Sequence, residues 1–242
     1  MEIEFECLLN YIETLKEVTL VLSMANEAIG DNEKYIALNK SAILLLTSKF
    51  ENFVETAVEE FVFLVNEIKL KNSDVPEWMR IGYATNLAGE LIKVIDKEDN
   101  SKKIKFFKDI SKVWDDDEVI LMKVNNKFNY GKHGANELIK LFNNIGIKDI
   151  SKTIKIKSLE ENILGDNTDH DFKGTFNNIT NQRNFITHQD KSPNITHNEI
   201  VVYKNYFEQF AYKLCEYLQQ QIKDLNNKIE VVKEEIAAAL ST

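Results

Sequence analysis

Near the end of the 242-residue chain, the string RNFITH places Arg183, Asn184 and His188 within six residues. Imidazole is the side chain whose ordinary pKa lies near neutrality, so His188 can take up or release a proton. A guanidinium keeps its charge and can hold a phosphate and the negative charge that builds on it, and an amide can orient either group. These residue types suit phosphodiester cleavage without a metal, because RNA carries its own nucleophile, the 2′-hydroxyl. On an ideal helix Asn184 and His188 form an i,i+4 pair on one face, while Arg183 and His188 lie about 140° and about 7.5 Å of rise apart. Arg183 is long enough to wrap toward the same cleft, and the helix can fray before His188. The competing reading is a helix end on which His188 caps the last carbonyls and the other two side chains are solvated.

Composition singles out the same residue. Lys and Arg total 30 against 39 Asp and Glu, a net charge of -9. That argues against a protein that coats nucleic acid by bulk electrostatics, so a polyanion would have to meet a local cationic site. Only Arg80 and Arg183 are arginine. Gly 8 and Pro 2 make up about 4% of the chain where roughly 12% is usual, which points away from sandwiches, barrels and loop-rich α/β folds. An all-α bundle is expected.

The elements that must hold the motif follow from apolar spacing. Residues 2–25 repeat at three to four (Ile3, Phe5, Leu8, Ile12, Leu15, Val18, Leu22), and Gly30, Asp31 and Asn32 break the pattern. A longer helix is predicted from about Asn32 to Lys71, antiparallel to the first. Pro76 suits the first turn of a third helix reaching about Lys97, with Ser73 or Asp74 as a cap. Between about 99 and 165 the period weakens to short runs, read as a helical insertion of unknown role within a core made of 1–98 and 166–242. From about Asp169, Phe172, Phe176, Ile179, Arg183 and Ile186 mark a helix that ends near His188, ahead of Pro193. Arg183 occupies a position of that stripe where an apolar residue is expected. The last helix starts near Asn194 or Thr196 and carries its stripe almost to the C terminus. Its distal part, NNKIEVVKEEIAAAL, is a candidate to pack on a second chain or on the insertion.

The Arg183, Asn184, three-residue, His188 string resembles the R-N-x-x-x-H signature of the HEPN superfamily, small α-helical bundles prominent among prokaryotic toxin and defence ribonucleases. Its setting also resembles theirs: the end of a penultimate helix, a short loop, then a long final helix. Upstream, SKFENFVETAVEEFVFLVN, with its Phe50–Glu51 pair, is similar to the long second helix of the RiboL-PSP-HEPN and MAE-type HEPN branch. The resemblance covers roughly 1–70 and 165–225. It implies a HEPN-like bundle in which Arg183 and His188 are the catalytic pair, Asn184 positions them, and two motifs face each other across a homodimer cleft. The implied reaction is attack of the 2′-oxygen on phosphorus, leaving a 2′,3′-cyclic phosphate and a 5′-hydroxyl, in a toxin or antiviral effector with an antitoxin or defence partner. In another branch a tyrosine two places after the histidine is nucleotidylated; here Asp190 holds that place. A noncatalytic HEPN module that binds RNA or a partner protein is the alternative.

Further residues enter in supporting roles. Glu51 could turn toward Arg183 as an ion-pair partner or stand as an ordinary exposed carboxylate. Lys102, Lys103, Lys105 and Lys108 surround Phe106 and Phe107, and Lys152, Lys155 and Lys157 form a second basic run; either is an RNA-guiding surface or a solvated face. Asp169, His170 and Asp171 read as N-capping rather than metal ligation. Asp115, Asp116, Asp117 and Glu118 lack the spacing of a calcium loop and read as a solvated helix start. Gly131, Lys132, His133 and Gly134 form a short loop without the P-loop pattern. Cys7 and Cys215 sit in helical patterns and read as buried thiols. No metal and no cofactor is expected. The acidic start and the lack of a long apolar run predict a cytoplasmic protein with no membrane span.

Overall fold

The three-to-four spacing folds as eight α-helices among the described residues. The computed structural model describes residues 5–97, 99–119, 121–124, 126–128, 134–156, 172–189 and 195–240, with side chains as far as Asn227. Helix α1 (Glu6–Glu27) closes on Ala28, whose N–H reaches back to the Met24 and Ala25 carbonyls. Asp31 then caps α2 (Asn32–Ile68), its carboxylate accepting from the Lys34 N–H at 3.2 Å. The two helices run antiparallel: Tyr11 stacks on Phe53 at 4.6 Å, and Lys49, earlier on α2, pairs with Glu17, later on α1, at 3.0 Å.

Helices α3 (Glu77–Val94) and α4 (Asn100–Lys112) follow. Pro76 is the residue before α3 rather than part of its first turn, and Ser73 and Asp74 lie in a 3-10 turn and supply no cap. Asp99 does cap α4, accepting from the Lys102 N–H at 3.3 Å. The Asp115–Asp117 run lies in the turn after α4, not at a helix start. Asp116 pairs with Arg80 and Asp117 with Lys71, because the turn folds back on the first turn of α3 and the segment before it. The short helices α5 (Ala135–Asn143) and α6 (Ile150–Thr153) precede α7 (Phe172–Gln189) and α8 (His197–Leu240). At 44 residues α8 is about 66 Å long. Thr196 and Glu199 build a capping box at its start: Glu199 Oε2 accepts from the Thr196 N–H at 2.6 Å, and Thr196 Oγ1 accepts from the Glu199 N–H at 3.3 Å.

The chain divides into two compact units, Met1–Ala57 with Phe128–Ile139 and Ser151–Glu216, and Val58–Lys127 with Lys140–Ile150 and Tyr217–Thr242. Residues 99–165 contribute to both. The first unit is built on an aromatic core in which the fully buried Phe50 stacks on Phe207 at 4.2 Å and meets Phe176 and Phe210 edge-on at 5.3 and 5.6 Å. Such pairs add about 0.5–1.5 kcal/mol each beyond the area they bury. Both cysteines are buried.

In the second unit two backbones meet at glycine. A Cβ on Gly82 of α3 would lie 2.3 Å from the Gly146 Cα, and Gly146 itself has φ +85 with Trp78 O 2.7 Å from where its Cβ would stand. Buried Asn72 staples the end of α4, donating to the carbonyls of Lys112 and Asp115 at 2.7 Å each. No helix among the described residues is long and apolar enough to cross a membrane.

Candidate functional site

The RNFITH string lies on the last two turns of α7, and packing explains how it is held. Phe172, Phe176, Ile179 and Ile186 are buried, as the stripe predicts. Three contacts fix the direction of α7 against α8: Phe172 meets Phe210 at 4.9 Å, Phe176 meets Phe207 at 5.8 Å, and Asn178 Nδ2 donates to the Tyr203 hydroxyl at 2.5 Å. Rising numbers on α7 match falling numbers on α8, so the two are antiparallel. Helix α2 runs parallel to α8, since Asn39 meets His197 and Phe50 meets Phe207. Burial pushes the Tyr203 hydroxyl pKa up, and the bond from Asn178 opposes that shift.

Arg183 takes its stripe position half-buried, seven residues past Phe176, which places it about 10 Å along the axis from the aromatic layer. Its Nη1 donates to Asn184 Oδ1 at 3.0 Å. That bond draws the guanidinium around the helix toward the Asn184 face. Helix α7 continues through Gln189, so His188 stands on a formed turn instead of a frayed end. His188 is exposed, one turn beyond half-buried Asn184 and on the same face. Thr187 Oγ1 returns to the Arg183 carbonyl at 3.0 Å and ties down that last turn. Among the described residues the Arg183 charge meets a neutral amide and no carboxylate. The site therefore offers a cation, an amide and an imidazole on one flank of one helix.

Glu51 does not join this group. It follows Phe50, whose ring meets Phe176. Because α7 runs antiparallel to α2, Arg183 lies toward the start of α2 and Glu51 on the opposite side of that contact, about 12 Å away along the axis. Glu51 is half-buried on α2 and is not without a partner.

The lysines expected to meet RNA lie on α4, which has no buried residue. Lys102, Lys105 and Lys108 are exposed, Lys103 is half-exposed, and Ile104 and Phe107 show 54% and 56% of their surface. Lys102 also pairs with Asp99 at 3.5 Å. In the second basic run Lys152 and Lys155 are exposed. Lys157, Asp169, His170, Asp171, Asp190, Pro193, Gly131, Lys132 and His133 lie outside the described residues, as do the side chains of the distal α8 segment beyond Asn227. Gly134 is described. It has φ +111, and a Cβ there would meet Asn177 Oδ1 at 2.9 Å, the same oxygen that accepts the Ala135 N–H. Its glycine thus serves the turn into α5. No group of three or more His, Cys, Asp or Glu converges as a metal site among the described residues.

Sequence reasoning missed His197. Its Nδ1 lies 2.9 Å from Oδ1 of the buried Asn39. The Thr196-x-x-Glu199 box marks the start of α8, but no spacing pairs residue 197 with residue 39.

Neither the curated proteins nor the solved structures yield a match. The family model of RiboL-PSP-HEPN matches residues 9–220, a span that includes the middle stretch left out of the motif-based resemblance. With an all-α architecture and most of its length matched, the chain belongs to the RiboL-PSP-HEPN family.

Proposed function

We propose that the protein is a metal-independent endoribonuclease acting as a homodimer, in which two copies of Arg183, Asn184 and His188 form one composite site. The observation that carries this reading is the Arg183–Asn184 hydrogen bond one turn from an exposed His188. A half-buried guanidinium left without an acid among the described residues is a site for an anionic ligand. In the reaction a neutral His188 takes the proton from the 2′-hydroxyl as O2′ bonds to phosphorus. The P–O5′ bond breaks, and the charged His188 of the other copy donates a proton to O5′. Arg183 holds the charge that builds on the non-bridging oxygens, and Asn184 braces the guanidinium. The products are a 2′,3′-cyclic phosphate and a 5′-hydroxyl. Lys102, Lys103, Lys105 and Lys108, beside the exposed Phe107, offer RNA a basic, stacking face. A cytoplasmic toxin or antiviral effector working with an antitoxin or defence partner is the physiological role this chemistry fits.

The test is RNA incubated with the purified protein in EDTA. Cyclic-phosphate ends that disappear in Arg183→Ala and His188→Ala support the reading. Uncut RNA that stays bound sinks catalysis and favours the second reading, a HEPN module that binds RNA or a partner protein.

A further inference from the structure

His197 opens α8, and its ring is held by the buried amide of Asn39. The amide cannot turn over. Its Nδ2 donates to the Tyr35 carbonyl at 3.0 Å, an atom that only accepts, so Oδ1 must be the atom that faces the imidazole 2.9 Å away. An amide oxygen in turn only accepts, which places the proton on His197 Nδ1 in the neutral and the charged ring alike. Nε2 is then the atom that differs between the two states, a lone pair in one and an N–H in the other. Among the described residues no hydrogen-bond partner meets Nε2, and the Tyr35 ring stands 6.1 Å away between centroids.

The fold puts this imidazole at the motif end of the first unit. Take the layer where Phe50, Phe176 and Phe207 meet as the reference. Because α2 and α8 are parallel and α7 opposes both, Asn39, His197, Arg183 and His188 all lie on one side of that layer. At helical rise their distances from it are about 16, 15, 10 and 18 Å. Arg183 springs from the core-facing stripe of α7 and turns toward Asn184, and the Asn39–His197 bond joins α2 to α8 about one turn farther along the axis.

The geometry points to His197 as a further RNA-contacting residue of this site, the Nε2–H of its charged ring donating to a phosphate next to the scissile one, with Asn39 as its positioning residue. This rests on the reading of Arg183 and His188 as an RNA site. A neighbouring phosphate held here lets Arg183 act on the reacting one alone, so the contribution falls on binding and on the register of the strand.

His197→Asn separates this role from simple anchoring of α8. The Asn amide nitrogen takes the place of Nδ1 and keeps the bond to Asn39, while nothing replaces Nε2. The variant is expected to melt like the wild type, to bind an uncleavable 2′-O-methyl RNA about tenfold more weakly and to cut RNA at least tenfold more slowly. Wild-type binding and cleavage in a folded His197→Asn protein overturn the proposal and leave His197 as an anchor. If the wild type binds the methylated RNA but cuts none, the catalytic reading fails by itself, and the His197→Asn binding result still decides this one. If the wild type neither binds nor cuts, both fall. Should the variant fail to fold, the wild type decides: a shift of the His197 Nε2 resonance in ¹⁵N-imidazole spectra on adding the methylated RNA supports the contact, and an unmoved resonance overturns it.

Discussion

Arg80 lies enclosed in the second unit. Its Nε donates to the Val113 carbonyl and its Nη2 to Asp116, both at 3.1 Å, the guanidinium stands 5.0 Å over the Trp114 ring, and the side chain is 14% exposed. Arg183, in the first unit, is also partly buried, yet among the described residues its side-chain partner is the neighbouring amide of Asn184. The same group thus appears once with its charge answered by an acid, a carbonyl and a ring, and once, among the described residues, with an amide and no acid. A cation fully engaged by its own chain contributes to folding. One engaged only by a neutral neighbour is available to an anionic ligand, at some cost to stability.

The largest expected effect tests the second half of that contrast. Arg183→Ala and His188→Ala should each lower RNA cleavage by about 100-fold or more, with melting temperatures close to wild type. An Arg183→Ala protein that melts many degrees lower would make Arg183 structural and erase the difference from Arg80. The converse variant comes next in size. Arg80→Ala leaves the Val113 carbonyl without its donor and removes the packing on Trp114, so it should cost about 2 kcal/mol of stability. That is a fall of roughly 4–8 °C for a chain of this length, readable by thermal melting, with cleavage per folded molecule unchanged.

A smaller effect concerns the frame that holds each arginine's helix. Helix α8 begins on the Thr196–Glu199 box, and hydrogen bonds from Thr196, its backbone N–H first, hold the Glu199 carboxyl below the ordinary glutamate range. A carboxylate whose pKa is lower folded than unfolded stabilises the fold above its unfolded pKa, and the contribution fades as pH falls through the lowered value. Asp99, which caps α4, is lowered for the same kind of reason, the Ser101 hydroxyl first. Thr196→Ala should cost about 1 kcal/mol near neutrality, and the gap between variant and wild type should narrow in acid. A gap that stays constant down to the acid transition would show that the box contributes nothing through Glu199.

What could be read from sequence divides along the same line. The helices were legible because apolar residues recur every three to four positions, and the motif because one charged residue stands inside an apolar stripe. Asn184 and His188 were legible as an i,i+4 pair because that relation is local to one helix. Partners far apart in sequence were not. The Asn39–His197 bond, the Arg80 cage and the role of Asp116 each join residues tens of positions apart, and composition carries no trace of which acid meets which base. Glu51 illustrates the limit: its place next to Phe50 is read directly from the sequence, but the direction in which α7 runs against α2, which sets how far along the axis Arg183 lies from it, is not. Pro76 missed by one residue, since φ near −60° suits the residue before a helix as well as its first turn.

The smallest effect sharpens what holds Arg80. Asp116 is the carboxylate that meets it among the described residues, but the Asp116 side chain is 70% exposed, and exposed ion pairs contribute about 0–1 kcal/mol because solvent screens them. Asp116→Asn should therefore change stability by no more than a few tenths of a kcal/mol, far less than Arg80→Ala, and added salt should barely alter the result. The carbonyl of Val113 and the face of Trp114 would then be the main restraints on Arg80. A loss from Asp116→Asn matching that from Arg80→Ala would mean instead that the acid is what separates the two arginines. In that case, placing a carboxylate beside Arg183, as in Asn184→Asp, should cost RNA cleavage by tying up the guanidinium.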